Sequence, residues 1–543
     1  MPGLYRNLRM LLSLIVLIAM LPGADLIPRS FSLKKYLDTT SASFPDSTYS
    51  GLSSNSIAVI RLQNDTLIWL GTGQGLSWLN NRLLDINTYY SSNNLVDNTA
   101  TDLLPAGGVS ALAIDGERIA AAVAGQKSGV TAGMGIVITD SSRNNWLYYE
   151  QPMDDSTEIL ATWFDSLSFA ALPVTVSEQN VTYDASIAGD YLWIASWAGG
   201  IRRYSFSDST WERIPLPEDN DPQLITCQDS LYENGVLKDF YLNPRDPKGG
   251  GNHNHKGFSV LAYNDTVWVG TPNGINRGIV DTVNGCIDWQ HYFFPQDGLP
   301  GNWVISLARQ DWNGQRIIWA ATWSADDEKQ LEQRGLSYTI DDGETWHSTL
   351  LGEKAYNVVA YDSLVFAATD NGLWRSNDGR NWALYKPARQ SLAETNGITY
   401  LTDEITTNVV YSALYDPNRS ELWIGTSDGL AMTDDLNGLN WRIFRTDVSG
   451  DYVYPNPFYS GHAGERYVRF HINVKESYVV KLEIFDFAMQ KVYSQQFDRR
   501  DNDMGTYKWN GQDNNGKMVA NGTYFIRLDY DNTDHWFKLI VVK

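Results

Sequence analysis

Trp69-Leu-Gly-Thr-Gly-Gln-Gly-Leu76 decides the fold, because the phrase returns along the chain. It comes back as Trp193-Ile-Ala-Ser-Trp-Ala-Gly-Gly-Ile201 and as Trp268-Val-Gly-Thr-Pro-Asn-Gly-Ile275. Phe366-Ala-Ala-Thr-Asp-Asn-Gly-Leu373 and Trp423-Ile-Gly-Thr-Ser-Asp-Gly-Leu430 follow, with Trp319-Ala-Ala-Thr322 as an interrupted copy. An aromatic, small residues, a hydroxyl, a turn and Gly-Leu or Gly-Ile recur every ~40–60 residues, which marks a β-propeller.

Working outward, each unit divides into four short strands, a to d from the axis. Blade 1 reads Ser56–Gln63, Leu67–Thr72, Gly75–Asn80 and Ile86–Tyr90. Blade 2 is Val109–Glu150, a degenerate copy with Ile119-Ala-Ala-Ala-Val123 as strand b. Blade 3 spans Val181–Pro215, blade 4 Phe258–Phe294 and blade 5 Trp303–Leu350. Blade 6 is Tyr356–Lys386 and blade 7 Asn408–Arg445. Seven blades is the count, with six and eight the alternatives because blade 2 lacks the Trp. Strand b lies between neighbouring blades, so Gly or Ala alternates with an aromatic where the wedge widens. A buried Trp covers ~150–250 Å² there, which makes these residues structural.

The 543 residues exceed one ordinary core, so a repeat domain plus a smaller domain is expected. A net charge of −22 repels phosphate backbones and argues against nucleic acid as a partner. At the N-terminus Arg6 and Arg9 precede an apolar run from Leu11 to Leu21, and Pro22-Gly-Ala24 supplies small residues for cleavage. The run is shorter than the ~20 residues that cross a bilayer, so 1–24 reads as a signal peptide, not a transmembrane anchor. Two cysteines, Cys227 and Cys286, leave two readings open: one disulfide, or two separate buried thiols.

Two resemblances sharpen this. Gly51-Leu-Ser-Ser-Asn-Ser-Ile57 and Asp297-Gly-Leu-Pro-Gly-Asn-Trp-Val304, each leading into a strand and the Trp phrase, resemble the two-component-regulator propeller repeat. Thr339-Ile-Asp-Asp-Gly-Glu-Thr-Trp346 resembles an Asp-box, with Ser376–Trp382 and Thr433–Trp441 as imperfect variants. The Asp-box implies a c–d hairpin whose Asp bonds turn amides. From Val453 the pattern changes to alternating strands of a small β-sandwich. Val453-Tyr-Pro-Asn-Pro-Phe458, Trp509-Asn-Gly-Gln-Asp513, Asn521-Gly-Thr-Tyr-Phe525 and a short basic-ended last strand resemble the FlgD-like Ig domain, also found as the sorting domain of type IX secretion cargo. Met489 stands where that family usually has Gly. The resemblance implies export across the outer membrane, with release or surface attachment.

Loop lengths point to a binding face. The a–b and c–d connections read as short throughout, as at Asn64-Asp65, Gly189-Asp190 and Asp208-Ser209. The b–c connections swell at Gly125–Met134 and Ser324–Arg334. The d–a connections swell at Ser91–Gly108, Gln151–Asn180, Leu216–Gly257 and Pro387–Thr407. In a propeller these open on one end, as expected of a scaffold presenting a binding surface. Candidate ligand-binding residues on that end are Trp197 and Trp323 with Asp326 and Asp327, since aromatics beside acids suit a sugar cleft. His253 and His255, in the Gly-rich run Gly249–His255, join them as candidates. No third ligand accompanies the two histidines at metal-site spacing, and no metal or other cofactor is expected.

Familiar chemistry is absent from the other motifs. Gly425-Thr-Ser427-Asp-Gly429 matches a hydrolase pattern but lies in a repeat turn with no strand-to-helix elbow. Arg213-Ile-Pro215 resembles a sialidase motif but falls at the outer end of blade 3. No catalytic residue is assigned. The fold expected is all-β: a seven-bladed β-propeller over 51–450, then an Ig-like β-sandwich over 451–543, with 25–50 a linker. The function expected is an extracellular or outer-membrane-surface binding protein, with the periplasm as alternative location. It recognises a glycan or a protein through the long-loop face, and its tail engages the secretion machinery or cell envelope. The alternative is a carbohydrate-active hydrolase or lyase using acids on that face.

Overall fold

The computed structural model describes residues 29–31, 52–90, 104–139, 146–325, 331–385, 391–401, 405–444 and 452–542. Within those spans 53, 65, 81–84, 164–166, 396–397, 406, 437–440, 455, 460–467, 472–478 and 499–505 are excepted. The expected signal peptide, Asp326 and Asp327 lie outside the described residues.

The chain is an all-β protein, and its larger part is a β-propeller. Each span read as a blade holds an antiparallel four-stranded meander; in blade 1 the strands are Ile57–Asn64, Leu67–Thr72, Gly75–Asn80 and Asp85–Tyr90. The later inner strands are Gly108–Asp115, Thr182–Ala188, Ser259–Tyr263, Trp303–Trp312, Ala355–Tyr361 and Val410–Asp416. Each inner strand lies against the next, and Val410–Asp416 lies against Ile57–Asn64, so the sheets close on themselves.

The repeated phrase explains that closure. The large residue of each strand b packs onto the following blade. Trp69 meets Leu112, Ile119 and Trp146, Trp268 meets Val304, Ile318 and Trp346, and Trp423 meets Ile57, Ile60 and Leu70. Two residues on, Gly or Ala is required. A Cβ on Gly270 would lie 2.3 Å from the Val304 carbonyl oxygen, and one on Gly425 2.5 Å from that of Ile57. These glycines let adjacent blades touch backbone to side chain. Blade 2 carries Ala120 at the Trp position. The wedge there is filled from the other side by Tyr149 and Tyr204, whose hydroxyls are 2.6 Å apart.

Several connections differ from the sequence reading. Gly125–Met134 is no swollen loop: Arg118–Lys127 and Val130–Thr139 are a long hairpin closed by Ser128-Gly129, both at positive φ (54° and 78°). The c–d connections are not uniformly short, since 281–286 and 340–346 form structured turns. In the second, the Asp341 carboxylate accepts from the Thr345 amide at 2.9 Å and from the Thr339 hydroxyl at 2.7 Å. The insertions 151–180 and 216–257 are not loops either. They supply Leu160–Trp163, Leu167–Ala171, Val236–Leu242 and Tyr232–Glu233, which pair into an extra sheet with one parallel ladder. A long insertion must satisfy its own backbone groups, and this one does so by pairing with another insertion.

Elaboration is therefore not confined to one end. From the long-loop end, 216–257 descends the outside of blade 4, where Gln223–Leu224 pairs with Gln290 and Trp289 as a fifth strand. It continues to the opposite end, where Cys227 is disulfide-bonded to Cys286 in the c–d connection. Of the two readings of the cysteines, the paired one holds. Blade 2 likewise gains a fifth strand, Arg29–Phe31, against Trp146–Tyr149.

The tail forms two sheets. One contains Tyr452–Tyr454, Val468–His471 and Thr506–Trp509. The other contains Phe458–Tyr459, Thr533–Val542, Gly522–Tyr530, Val479–Phe485 and Lys491–Asp498. Phe458, Phe470, Leu482, Ile484, Trp509 and Leu528 fill the space between them. Met489 takes φ 60°, a left-handed conformation natural to glycine. The Asp486 carboxylate holds this turn by accepting from the Ala488 and Gln490 amides, each at 2.9 Å.

Candidate functional site

The end of the propeller where inner strands begin and b strands end carries an arc of aromatic rings. A β-bulge recurs two residues into most inner strands, as between Thr182 and Asp184, Ala355 and Asn357, and Val410 and Ser412. The bulged residues are Tyr183, Tyr356 and Tyr411. A bulge re-aims its side chain, here at the mouth of the channel. Phe258 and Trp303 stand at the starts of the inner strands of blades 4 and 5. Trp197 heads the b–c turn of blade 3, and Trp323 ends strand b of blade 5.

These rings touch in sequence. Tyr183 lies 5.9 Å from Phe258, Phe258 lies 5.1 Å from Trp197 and 5.6 Å from Trp303, and Trp197 lies 6.3 Å from Trp303. Trp303 is the cross-strand partner of Trp323. Trp323 is 5.6 Å from Tyr356, which is 5.5 Å from Tyr411. Two cations lie on the rings: Lys256 Nζ is 4.7 Å from the Trp197 centroid and Lys354 Nζ 4.3 Å from that of Trp323. The Trp323 indole donates to the Ala355 carbonyl at 2.6 Å, which fixes its ring plane. Burial raises the pKa values of Tyr183, Tyr356 and Tyr411 and lowers that of Lys256, so the phenols stay neutral hydrogen-bonding groups.

Of the sequence candidates, Trp197 and Trp323 stand in this arc. Tyr183, Phe258, Trp303, Tyr356 and Tyr411 complete it, and none of these five is a candidate in the sequence reading. Their signal is an aromatic at the first or second residue of successive inner strands, outside the Trp phrase.

Of the two histidines, His255 is placed differently from what a ligand-binding role needs. His255 is buried; its Nδ1 accepts from the Asn243 amide at 2.8 Å and its Nε2 lies 3.1 Å from the Leu216 carbonyl. Burial pushes its pKa down to about 4, so it is neutral and joins the insertion to the start of that same segment. Both its nitrogens are occupied by backbone, and neither is open to a ligand. His253 is half-buried with Nδ1 3.2 Å from Lys256 Nζ. Among the described residues no group of three or more His, Cys, Asp or Glu is placed to hold a metal ion.

Fold and site together define a class, a β-propeller with an aromatic channel mouth joined to a small β-sandwich. The sandwich is a FlgD Ig-like domain: residues 459–534 match that family. No curated protein sequence matches the chain. Among solved structures, one similar chain is PorZ, described as an essential bacterial surface component of the type-IX secretion system of Porphyromonas gingivalis. It shows 13% identity over 90% of this chain and 75% of that chain, with a TM-score of 0.29. The extracellular domain of a putative hybrid two-component system from B. thetaiotaomicron shows 11% identity over 92% of this chain and 77% of that one, with a TM-score of 0.25. YCF48 from Cyanidioschyzon merolae shows 10% identity over 70% and 96%, with a TM-score of 0.39. No helix among the described residues is long and apolar enough to cross a membrane.

Proposed function

We propose that this protein is an exported propeller of seven blades, over about residues 51–450, that acts at the cell surface or outside the cell as a binding module. Its ligand is a glycan, or a protein, held at the end where the inner strands begin. The aromatic arc from Tyr183 to Tyr411 carries this reading. Half-buried rings with fixed planes offer flat apolar faces at little entropic cost, and the apolar face of a pyranose is the natural complement. Lysine ammonium groups and phenol hydroxyls beside the rings supply the polar contacts that such a site needs. Asp326 and Asp327, on which hydrolase or lyase chemistry would depend, remain candidates in the segment between strands b and c of blade 5.

The test is binding of the purified full chain to a panel of polysaccharides and polypeptides, followed by Trp197→Ala and Trp323→Ala. Each substitution is expected to weaken the best ligand on the order of 10- to 100-fold, as loss of a central aromatic anchor does. Undiminished affinity in both folded variants would refute the reading.

We further propose that 1–24 is a signal peptide, that 25–50 is a linker apart from the strand Arg29–Phe31 on blade 2, and that the domain at 451–543 directs the protein to the secretion machinery or cell envelope. Truncation before Val453 is expected to leave the protein in the periplasm, measured by cell fractionation. Undiminished appearance outside the cell would sink the sorting role.

A further inference from the structure

The aromatic arc contains the same unit of three residues twice. Four residues past the aromatic that opens the Trp phrase, Trp193 leads to Trp197 and Trp319 to Trp323. The equivalent residues of the other blades are Gly73, Ala124, Pro272, Asp370 and Ser427. A second position lies on the inner strands, three residues before the cross-strand partner of the phrase's small residue. There Ser259, the partner of Gly270, leads back to Lys256, and Asn357, the partner of Ala368, to Lys354. The other blades carry Ser56, Gly108, Val181, Trp303 and Val409 at that position. Trp and Lys therefore coincide at two junctions, blade 3 with blade 4 and blade 5 with blade 6.

A further ring completes each unit. Lys256 Nζ is 4.7 Å from the Trp197 centroid, and Phe258, two residues on from Lys256, is 5.1 Å from the same ring. Lys354 Nζ is 4.3 Å from the Trp323 centroid, and Tyr356, two residues on from Lys354, is 5.6 Å from that ring. All four rings are partly exposed. The wedge between blades does not call for them, because Trp193 and Trp319 already fill it and are buried. A large ring left in contact with water gives up part of its burial energy. Packing thus gives no reason for the same combination to recur. Between the units stands Trp303, 6.3 Å from the Trp197 ring and the cross-strand partner of Trp323.

We infer that the two units are equivalent subsites for one linear polysaccharide built from a repeating unit. This rests on the arc being the ligand site, and it names the glycan as the ligand. Two subsites of one composition match a ligand that presents the same group twice. A repeating glycan does so along its length, and a folded protein surface does not. A single pyranose face covers one ring, so a chain of several sugars is needed to run from Trp197 past Trp303 to Trp323. Once one unit is filled, the second is engaged within the same complex, at the effective concentration set by the sugars between them.

The test titrates the full chain, with its disulfide intact, with cello-, chito-, laminari- and galacturono-oligosaccharides of one to eight sugars, followed by calorimetry. In at least one series the short members are expected to bind weakly at two per chain. The long members are expected to bind at one per chain and at least tenfold tighter, the gain levelling off once both units are spanned. Trp197→Ala and Trp323→Ala are each expected to leave one short ligand per chain and to remove the gain with length. The stoichiometry and length dependence of the wild type need no variant, so a substitution that fails to fold does not spoil the test. One short ligand per wild-type chain, or an affinity that does not grow with length, would overturn the paired subsites while leaving the arc as a glycan site. Binding of a polypeptide and of no oligosaccharide or polysaccharide would overturn this inference alone. Binding of neither would overturn it together with the arc as a ligand site.

Discussion

Trp423→Ala is expected to cost the propeller about 3–5 kcal/mol of unfolding free energy, the range for emptying a large aromatic site in a core. Trp423 is fully buried in the last blade and packs on Ile57, Ile60, Ile68 and Leu70 of the first, with Phe444 stacked on it at 5.8 Å. Its indole also donates to Glu421 at 3.2 Å, so truncation leaves a buried carboxylate short of a donor. The site cannot collapse easily, because Gly425 already brings the strand into contact with the Ile57 backbone. What distinguishes this Trp from its repeats is position: it seals the join between the two ends of the ring. The measurement is equilibrium denaturant unfolding of the intact protein. A loss below about 1 kcal/mol would show that the join is not held by this wedge.

The same residues show how much of the architecture was legible. The phrase around Trp69, Trp268 and Trp423 located the strands to within about two residues, because a wedge between sheets demands a large residue beside a small one at fixed spacing. Blade 2 was legible only by position. Its missing Trp is replaced by Tyr149 and Tyr204 from strands that a local reading has no reason to join. The inserted sheet was illegible for a related reason. Ser168 pairs with Val236 in parallel, across the whole of blade 3 in the sequence, and parallel ladders leave no turn signature.

The candidate site was half legible. Trp197 and Trp323 stand out beside the phrase, whereas Tyr356 and Tyr411 are aimed at the channel mouth by bulges that no residue type announces. His255 misleads in the opposite sense. A histidine in a glycine-rich run reads as exposed, yet Asn243 and Leu216 fold it into the interior as a neutral strut.

Removing the disulfide, as Cys227→Ser with Cys286→Ser, is expected to cost up to about 4 kcal/mol, the loop-closure entropy of a ring of this length. The two cysteines are 59 residues apart in sequence, and their Cα atoms are 5.4 Å apart. Between them lie most of the second insertion and the first three strands of blade 4. Other ties reinforce the staple: Asp288 accepts the amides of Thr226 and Cys227 at 2.8 and 3.1 Å, and the Thr226 hydroxyl donates to the Ile287 carbonyl at 2.6 Å. Without the S–S bond these ties hold one end of a segment whose next stretch, 228–235, has few buried side chains. The loss should therefore be local before it is global. Limited proteolysis of the variant is expected to cut first within 228–235, while blades 5 to 7 stay protected. Calorimetry should show an early transition absent from the oxidised protein. The aromatic arc gives the consequence for binding, since Lys256 and Phe258 close the same segment. Ligand affinity should fall with reduction even though neither cysteine touches the arc. Equal protease resistance and equal affinity in the two redox states would mean that the hydrogen bonds at Asp288 suffice and the disulfide is dispensable.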